Sequence, residues 1–558
     1  MCGIIGYAGR GSAKSVLLDG LSRLEYRGYD SAGIALMDGE GGAPRLVKTT
    51  EKVAALAKKA EDAPDARCGI GHTRWATHGA VTEDNAHPHR AGRVTLVHNG
   101  IIENYQALRD EMAQKGYEPY SQTDTEIAAM LIDSFYAGDP LGALGEAMAR
   151  MAGNYTFAVI FEDRPGEIYA VCRNSPLTVM QGEDGCYLAS DVVALLAYGR
   201  EYCVPEPGVI VRLTEGHMDF LGADGSPRKA VVRKVDWSAG AAEKDGYPHY
   251  MLKEIYEQPR ALRDTIEPRL SGDRVDFSEE GIDESIFRGV RRIVIVGCGT
   301  AMHAGMAARR YFEAVAQVPV EVEAASEFRD IVLPVPEDTL HIFISQSGET
   351  ADTLGALRSA RSRGARRVLS IVNARGSSLA RESGEVLYTR AGPEIAVAST
   401  KAFTAQVAAL YLAAIAIAQA NGVSGTEARV HELKDASKSA ERTLARAEAI
   451  RASAGPLARA KDIFYLGRGM DMALAYEGAL KLKEISYVHA EAHASGELKH
   501  GIISLVEPGV VCVLIATDAE LLAKALLCAQ EVRSRGGTVM LMTPDSACTV
   551  ASKAGWLA

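Results

Sequence analysis

The chain has 558 residues, enough for three or four domain-sized units with large cores. Apolar residues make up 47% and charged residues 24%, ordinary values for a soluble globular protein, and the net charge of -11 comes without a basic stripe. That balance argues against a nucleic-acid or anionic-membrane partner. It leaves room for small anions held by local backbone dipoles.

Nine cysteines lie scattered without paired CxxC spacing, so neither a zinc site nor a disulfide framework is indicated, and reducing cytosol is the expected compartment. No signal-peptide pattern opens the chain, and no uninterrupted apolar run of membrane-spanning length is expected.

The first stretch is Met1-Cys2-Gly3-Ile4-Ile5-Gly6. Trimming of the initiator methionine would leave Cys2 carrying both a thiol and a free α-amine. An amine of pKa about 7.7–8.0 beside a thiol of pKa about 8.5 forms a built-in base and nucleophile.

From there to about residue 221, short strands alternate with Gly-rich turns and two or three helices, the clearest over 14–24 and 104–115. Four polar stretches interrupt this pattern: residues 26–31, 71–79, 97–100 and 121–126. Each could supply one part of an amide-binding site. Arg74 can fork onto an α-carboxylate, and Asp124 can receive an α-ammonium. Asn99 and the Gly100 N–H can donate to an oxyanion as an amide carbonyl turns tetrahedral. His78, His87 and His89 lack accompanying carboxylate spacing, so no metal site is expected.

Taken together, Cys2, Arg27, Arg74, Trp75, Thr77, His78, Asn99, Gly100 and Asp124 resemble the glutaminase domain of the N-terminal-nucleophile (class II) amidotransferases. The resemblance implies a four-layer αββα domain over 2–220, in which Cys2 attacks the side-chain amide of glutamine. It assigns catalysis to Cys2, Asn99 and Gly100, and glutamine binding to Arg27, Arg74, Trp75, Thr77, His78 and Asp124.

A polar connector over 221–283 follows. Within it, residues 247–259 read as a short Pro-bounded helix docked through Met251, Ile255 and Tyr256. The rest is a repeat at a spacing of about 170 residues. Arg292-Ile293-Val294-Ile295-Val296-Gly297 answers to Asp462-Ile463-Phe464-Tyr465-Leu466-Gly467, and the apolar run at 340–345 answers to the one at 510–515. Apolar strands alternating with helices predict two doubly wound α/β domains with parallel sheets, over 284–422 and 454–558.

In the first copy, Ser345-Gln346-Ser347-Gly348-Glu349-Thr350 offers hydroxyls and backbone N–H groups at a helix start, a phosphate cradle. The second copy has Ala516-Thr517-Asp518-Ala519-Glu520 there, whose carboxylates would repel phosphate, so one phosphate site is expected. The Gly-x-Gly turns lack the spaced third glycine of a dinucleotide fingerprint. Lys481 and Glu484 fall one turn apart on one face of a helix within a helix-and-loop region over 477–500.

These features resemble the paired sugar-isomerase (SIS) domains of the glutamine–fructose-6-phosphate aminotransferases, and the likeness runs through essentially the whole chain. It implies glutamine and fructose 6-phosphate as substrates, no metal or redox cofactor, and a homodimer formed through the SIS domains. Ser345, Gln346, Ser347 and Thr350 match the family's phosphate loop. Cys298, Gly299 and Thr300 match its first sugar-contacting turn, and Val397, Ala398 and Ser399 a third contact. Glu484 matches the proton-transfer base, Lys481 its neighbour, and His500 the ring-opening histidine supplied across the dimer. The lack of a large insert in the glutaminase part suggests the bacterial type.

Ala301 stands where the family usually has serine. By its own internal standard the second copy stops about a strand and a helix short, which should leave apolar surface uncovered. No residue matches the family's C-terminal Schiff-base lysine. Uncoupled glutaminase and isomerase activities, or an inert sugar-phosphate-binding protein, are therefore alternatives to the coupled synthase.

Overall fold

A computed structural model describes residues 2–544 apart from 26, 27, 40, 41, 77, 174, 235–243 and 333. The chain divides into two compact units, Met1–Ala242 and Glu243–Ala558.

The first unit is built on two antiparallel sheets, of eight and six strands. Gly3–Gly9 runs through the middle of the larger sheet, between Cys68–Arg74 and Gly185–Ala189, and all seven of its residues are buried. A strand buried on both faces needs cover on both. Ile5 and Tyr7 pack toward the helix Ala13–Leu24, whereas Ile4 and Ala8 meet Val97, Ala158 and Ile160 of the second sheet. Beyond the second sheet lie the helices Tyr105–Gln114, Asp124–Phe135 and Pro140–Arg150. The layering is αββα. Among the described residues this unit holds five α-helices, two or three more than the sequence pattern indicated. One of those missed, Asp124–Phe135, begins inside a polar stretch. Thr123 caps it by accepting the Glu126 N–H at 3.3 Å.

The second unit opens with the helix Tyr250–Ile266, which passes straight through Pro259 instead of ending there. Proline removes the N–H that would bond the Ile255 carbonyl, and the Gln258 side-chain amide donates to that carbonyl instead, at 3.1 Å. The docking face also differs from expectation. Lys253 and Glu254 are buried whereas Tyr256 is exposed, because ion pairs and loop amides, described below, satisfy the charges.

Two parallel sheets follow. The first is ordered Val320–Ala324, Arg292–Gly297, Thr339–Ser345, Arg367–Val372, Glu385–Tyr388; the second His489–Ala494, Asp462–Gly467, Val511–Ile515, Thr538–Met542. The repeat is visible strand for strand, and His489–Ala494 is a strand where the sequence suggested loop. A counterpart of Glu385–Tyr388 is absent among the described residues. Thr538–Met542 is accordingly an edge strand, exposed or half-buried throughout, whereas five of the six residues of its equivalent Arg367–Val372 are buried.

The helix Lys401–Ala420 is long and apolar enough, by length and mean hydropathy, to cross a membrane, although Lys401, Thr404, Gln406 and Gln419 interrupt its apolar run. It is mostly buried in the core of the first parallel-sheet domain, packed with Phe312 and Leu340.

Candidate active site

Cys2 directly precedes the central strand of the larger sheet, so its position is set by the pairing of Gly3 with Thr73 on the neighbouring strand. A Cβ at Gly3 would come within 2.6 Å of Thr73 Oγ1 and 2.8 Å of the Leu24 Cβ, which is why this close approach needs glycine. Where that neighbouring strand ends, Trp75 turns its backbone back on the sulfur: its N–H donates to Cys2 Sγ at 3.3 Å. Burial pushes the Cys2 thiol up, opposed by the Trp75 N–H and by the positive charge of Arg74.

Cys2 opens on a cleft shared with Arg74, Trp75, His78, Gly100 and Asp124. Asn99 donates its amide N–H to the Cys2 carbonyl at 2.9 Å. Its own Oδ1 is held at 3.0 Å by His72 Nε2, which also lies 2.9 Å from the His98 carbonyl. Both partners are acceptors, so His72 carries its proton on Nε2, and burial keeps the ring neutral with a pKa of about 3. The amide is thereby oriented with its N–H groups toward Cys2. Gly100 has φ +134°, and a Cβ there would lie 2.0 Å from the Asn154 carbonyl oxygen.

Asp124 sits at the first position of its helix, 4% exposed, with Oδ2 accepting the Ile102 N–H at 2.9 Å. The fork foreseen for Arg74 is occupied. Nη1 donates to the Ala80 carbonyl at 3.2 Å and Nη2 to the carbonyls of His78 and Gly79, the latter at 3.1 Å. Arg74 therefore holds the 78–80 turn against the cleft, and a substrate carboxylate must displace one of these carbonyls to be gripped by both arms. His78 lies edge-on to Tyr105, ring centroids 5.9 Å apart. Arg27 and Thr77 lie outside the described residues.

The sequence drew attention to His87 and His89 but not to the cluster they form with His72 and His98 at this cleft. His87 stacks on His72 at 4.0 Å between centroids and accepts the His98 N–H at 3.3 Å. Thr125 Oγ1 stands 3.1 Å from His98 Nδ1 and 3.2 Å from His87 Nε2, while His89 meets Thr123 and Tyr120. Burial lowers the pKa of all of them. Among the described residues no group of His, Cys, Asp and Glu is arranged to hold a metal.

In the second unit the matched residues gather at the carboxyl ends of parallel strands, where such sheets bind ligands. Residues 345–350 link Thr339–Ser345 to the helix Ala351–Ser362. Ser345 Oγ accepts the Gly348 N–H at 3.0 Å and pairs with Thr350 Oγ1 at 2.9 Å; Ser347 Oγ accepts the Glu349 N–H at 3.2 Å. Thr350 makes no side-chain cap, so the first N–H groups of this helix are left facing the loop. Gln346 is tied through its carbonyl to Asn373 N–H at 3.0 Å. At the equivalent place in the second copy the buried carboxylate of Asp471 takes the Thr517 N–H, at 2.8 Å, and its hydroxyl.

The turn Cys298-Gly299-Thr300 starts the helix Thr300–Val315, with Gly299 at φ +51° and Cys298 Sγ 3.8 Å from Thr353 of the helix Ala351–Ser362. Thr300 Oγ1 donates to Glu477 Oε1 at 2.9 Å and receives Lys481 Nζ at 3.0 Å. Lys481 also lies 2.8 Å from Glu484 and 3.3 Å from Glu477, whose other oxygen meets His303 Nδ1 at 2.8 Å. Thus Thr300 of one copy is joined to Lys481 and Glu484 of the other. Glu477 and His303 were not anticipated; the first sits on the same helical face as Lys481, four residues earlier. His500 is exposed, and among the described residues no hydrogen bond or ion pair links it to Lys481 or Glu484. Ala301 is buried. Val397 is exposed, Ala398 buried, and Ser399 donates to Glu394 at 2.7 Å.

A glutamine amidotransferase domain model matches residues 72–197, and a SIS domain model matches 286–416 and 456–555. Glutamine–fructose-6-phosphate aminotransferase (isomerizing) from Symbiobacterium thermophilum is 48% identical over 97% of this chain and 90% of its own length. The chain belongs to this aminotransferase family. The enzyme of the same name from Thermus thermophilus is 46% identical over 98% of this chain and 90% of its own length. Among solved structures, the C-terminal domain of the Francisella tularensis aminotransferase matches at 41% identity and TM-score 0.54, over 55% of this chain and 87% of that one. The family pairs glutamine with a hexose phosphate, and the two kinds of site found here, a thiol cleft and a hydroxyl-lined helix start, suit those two ligands.

Proposed function

We propose that the chain transfers the amide nitrogen of L-glutamine to D-fructose 6-phosphate with isomerisation, yielding D-glucosamine 6-phosphate and L-glutamate. The observation that carries this reading is the cleft lined by Cys2, Gly100 and Asp124, with the Asn99 amide held on the Cys2 carbonyl, in a chain whose loop at 345–350 offers hydroxyls and backbone N–H groups. With Met1 removed, the Cys2 amine takes the thiol proton as sulfur attacks the glutamine side-chain carbonyl. The developing oxyanion is met by N–H groups of Asn99 and Gly100, while Asp124 holds the substrate ammonium. Collapse expels ammonia, and water releases glutamate from the thioester.

In the second unit, the loop hydroxyls and the N–H groups at the start of Ala351–Ser362 receive the phosphate. Glu484, kept beside Lys481, is the base that moves a proton between C1 and C2. His500, exposed on its own chain, suits a role in ring opening at the neighbouring subunit of a homodimer. A reducing, cytoplasmic setting fits nine cysteines scattered without paired spacing.

The test is incubation of the full chain with both substrates, scoring glutamate and glucosamine 6-phosphate separately. Equal yields are expected. Glutamate without amino sugar would replace the proposal with uncoupled activities, and fructose 6-phosphate binding with an inert Cys2 would replace it with a binding protein.

A further inference from the structure

The connector helix Tyr250–Ile266 meets the sugar-contacting segment at 395–399 through a charged surface that the proposed chemistry leaves unused. Glu254, 2% exposed, directs its carboxylate at the backbone of that segment. Oε1 accepts the Ile395 N–H at 2.5 Å and the Ala396 N–H at 3.1 Å, and Oε2 lies 3.3 Å from the latter. One turn on, Glu257 pairs at 2.5 Å with Lys401, which is 1% exposed and begins the helix that follows the segment. Lys253, on the same face, bridges Asp245 at 2.9 Å and Glu257 at 3.8 Å. The far end of the segment is fastened by Glu394, whose carboxylate takes the N–H groups of Thr400 and Ala402, at 2.8 and 3.0 Å. The segment is thus stretched between two carboxylates, and the one at its start belongs to the connector.

A buried charge is costly unless its partners are worth more held than lost. Here the partners are the amides immediately preceding Val397, Ala398 and Ser399. We propose that Glu254 is a positioning residue for sugar binding: through the amides of Ile395 and Ala396 it sets the backbone that contacts the hexose, which makes the connector helix part of the sugar site. The inference rests on the functional reading above.

Burial, with the charge of Glu394 added, raises the Glu254 pKa to about 7, the two amides and Lys401 opposing. Glu394 and Lys401 face it from the segment and the following helix, Lys253 and Glu257 flank it on its own. Above pH 7 both of its oxygens accept. Below it, a protonated oxygen is a donor facing an N–H that can only donate, so the segment loosens as pH falls through about 7.

The experiment uses the full chain and the variant Glu254→Gln. Glutamate release without sugar, and thermal melting, report that each is folded. Fructose 6-phosphate KM is expected to rise about tenfold in the variant, with kcat changed less, because ground-state positioning is lost. Wild-type affinity is expected to weaken between pH 8.5 and 6.5, and the variant's to be flat. Sulfate, a fully ionised probe of the phosphate loop alone, should bind both proteins equally across that range. A variant with unchanged KM, or a wild-type affinity that does not follow pH relative to sulfate, overturns the inference while leaving the functional reading intact. If the variant does not fold, the wild-type pH comparison decides. No fructose 6-phosphate binding by the wild type at any pH overturns the functional reading and this inference together.

Discussion

At the scale of single residues, the cleft around Cys2 depends on groups whose roles are separable by experiment. Among the described residues Cys2 is the only sulfur lining the cleft, and in Cys2→Ala glutamate release should fall at least about a thousandfold, with fructose 6-phosphate affinity untouched. Loss of both would show that the thiol contributes to folding instead. Gly100→Ala asks a different question. Its φ of +134° and the Asn154 oxygen 2.0 Å from the missing Cβ leave no room for a side chain. The variant should cost about 1–3 kcal/mol of stability, seen as a lowered Tm, and displace the N–H assigned to the oxyanion. An unchanged Tm would contradict the described backbone. His72 shows where residue types alone are mute. Nothing in Gly71-His72-Thr73-Arg74 distinguishes a histidine that orients Asn99 from one that fills a core. Only the packing of the eight-stranded sheet on the six-stranded one puts its Nε2 within 3.0 Å of the Asn99 amide.

At the scale of elements, the reading of the sequence succeeded where periodicity and motif agree. Buried parallel strands announce themselves as apolar runs, so the repeated cores at 292–297 and 462–467 were plain. It failed where a local signal was cancelled by a distant partner. Pro259 looks like a helix end until Gln258 supplies the missing donor, and Lys253 and Glu254 look solvated until Asp245 and the Ile395 amide meet them. Arg74 was legible as a polar residue that comes to the cleft beside Cys2, but not its engagement with the 78–80 turn, because backbone carbonyls leave no mark in a sequence.

The histidine cluster has an element-scale consequence, since His72 comes from the larger sheet, His89 and His98 from paired strands of the smaller one, and His87 from the loop before them. Each is held neutral when folded but takes up a proton when unfolded below about pH 6.5. The unfolded state therefore binds more protons as pH falls. Stability is fully present above pH 6.5 and is lost on acidification, by up to about 1.4 kcal/mol per pH unit for each histidine. Melting of the full chain followed from pH 7.5 to 5 should drop steeply below pH 6.5; a flat profile would mean these rings are already charged in the native state.

At the scale of the whole molecule, the division at residues 242 and 243 separates two sets of cores. Packing around Ile4, Ile5 and the three helices of the second layer is complete within the first unit, and packing around Ile295, Leu340 and Ile415 within the second. Each unit also holds its own polar site: Cys2 with Asn99 in one, Thr300 with Lys481 and Glu484 in the other. Chains ending at 242 and starting at 243 should therefore fold separately. The first is expected to release glutamate and the second to bind fructose 6-phosphate. A mixture of the two should make far less glucosamine 6-phosphate per glutamate consumed than the intact chain, because ammonia freed into solvent is protonated and diluted. The edge strand Thr538–Met542, with Met542 53% exposed, marks the second piece as the more prone to self-associate, so its binding is best measured at low concentration. Equal coupling by the mixture would mean that covalent connection through the connector contributes nothing to transfer. Failure of the first piece to fold would mean that its sheets need contacts from beyond residue 242.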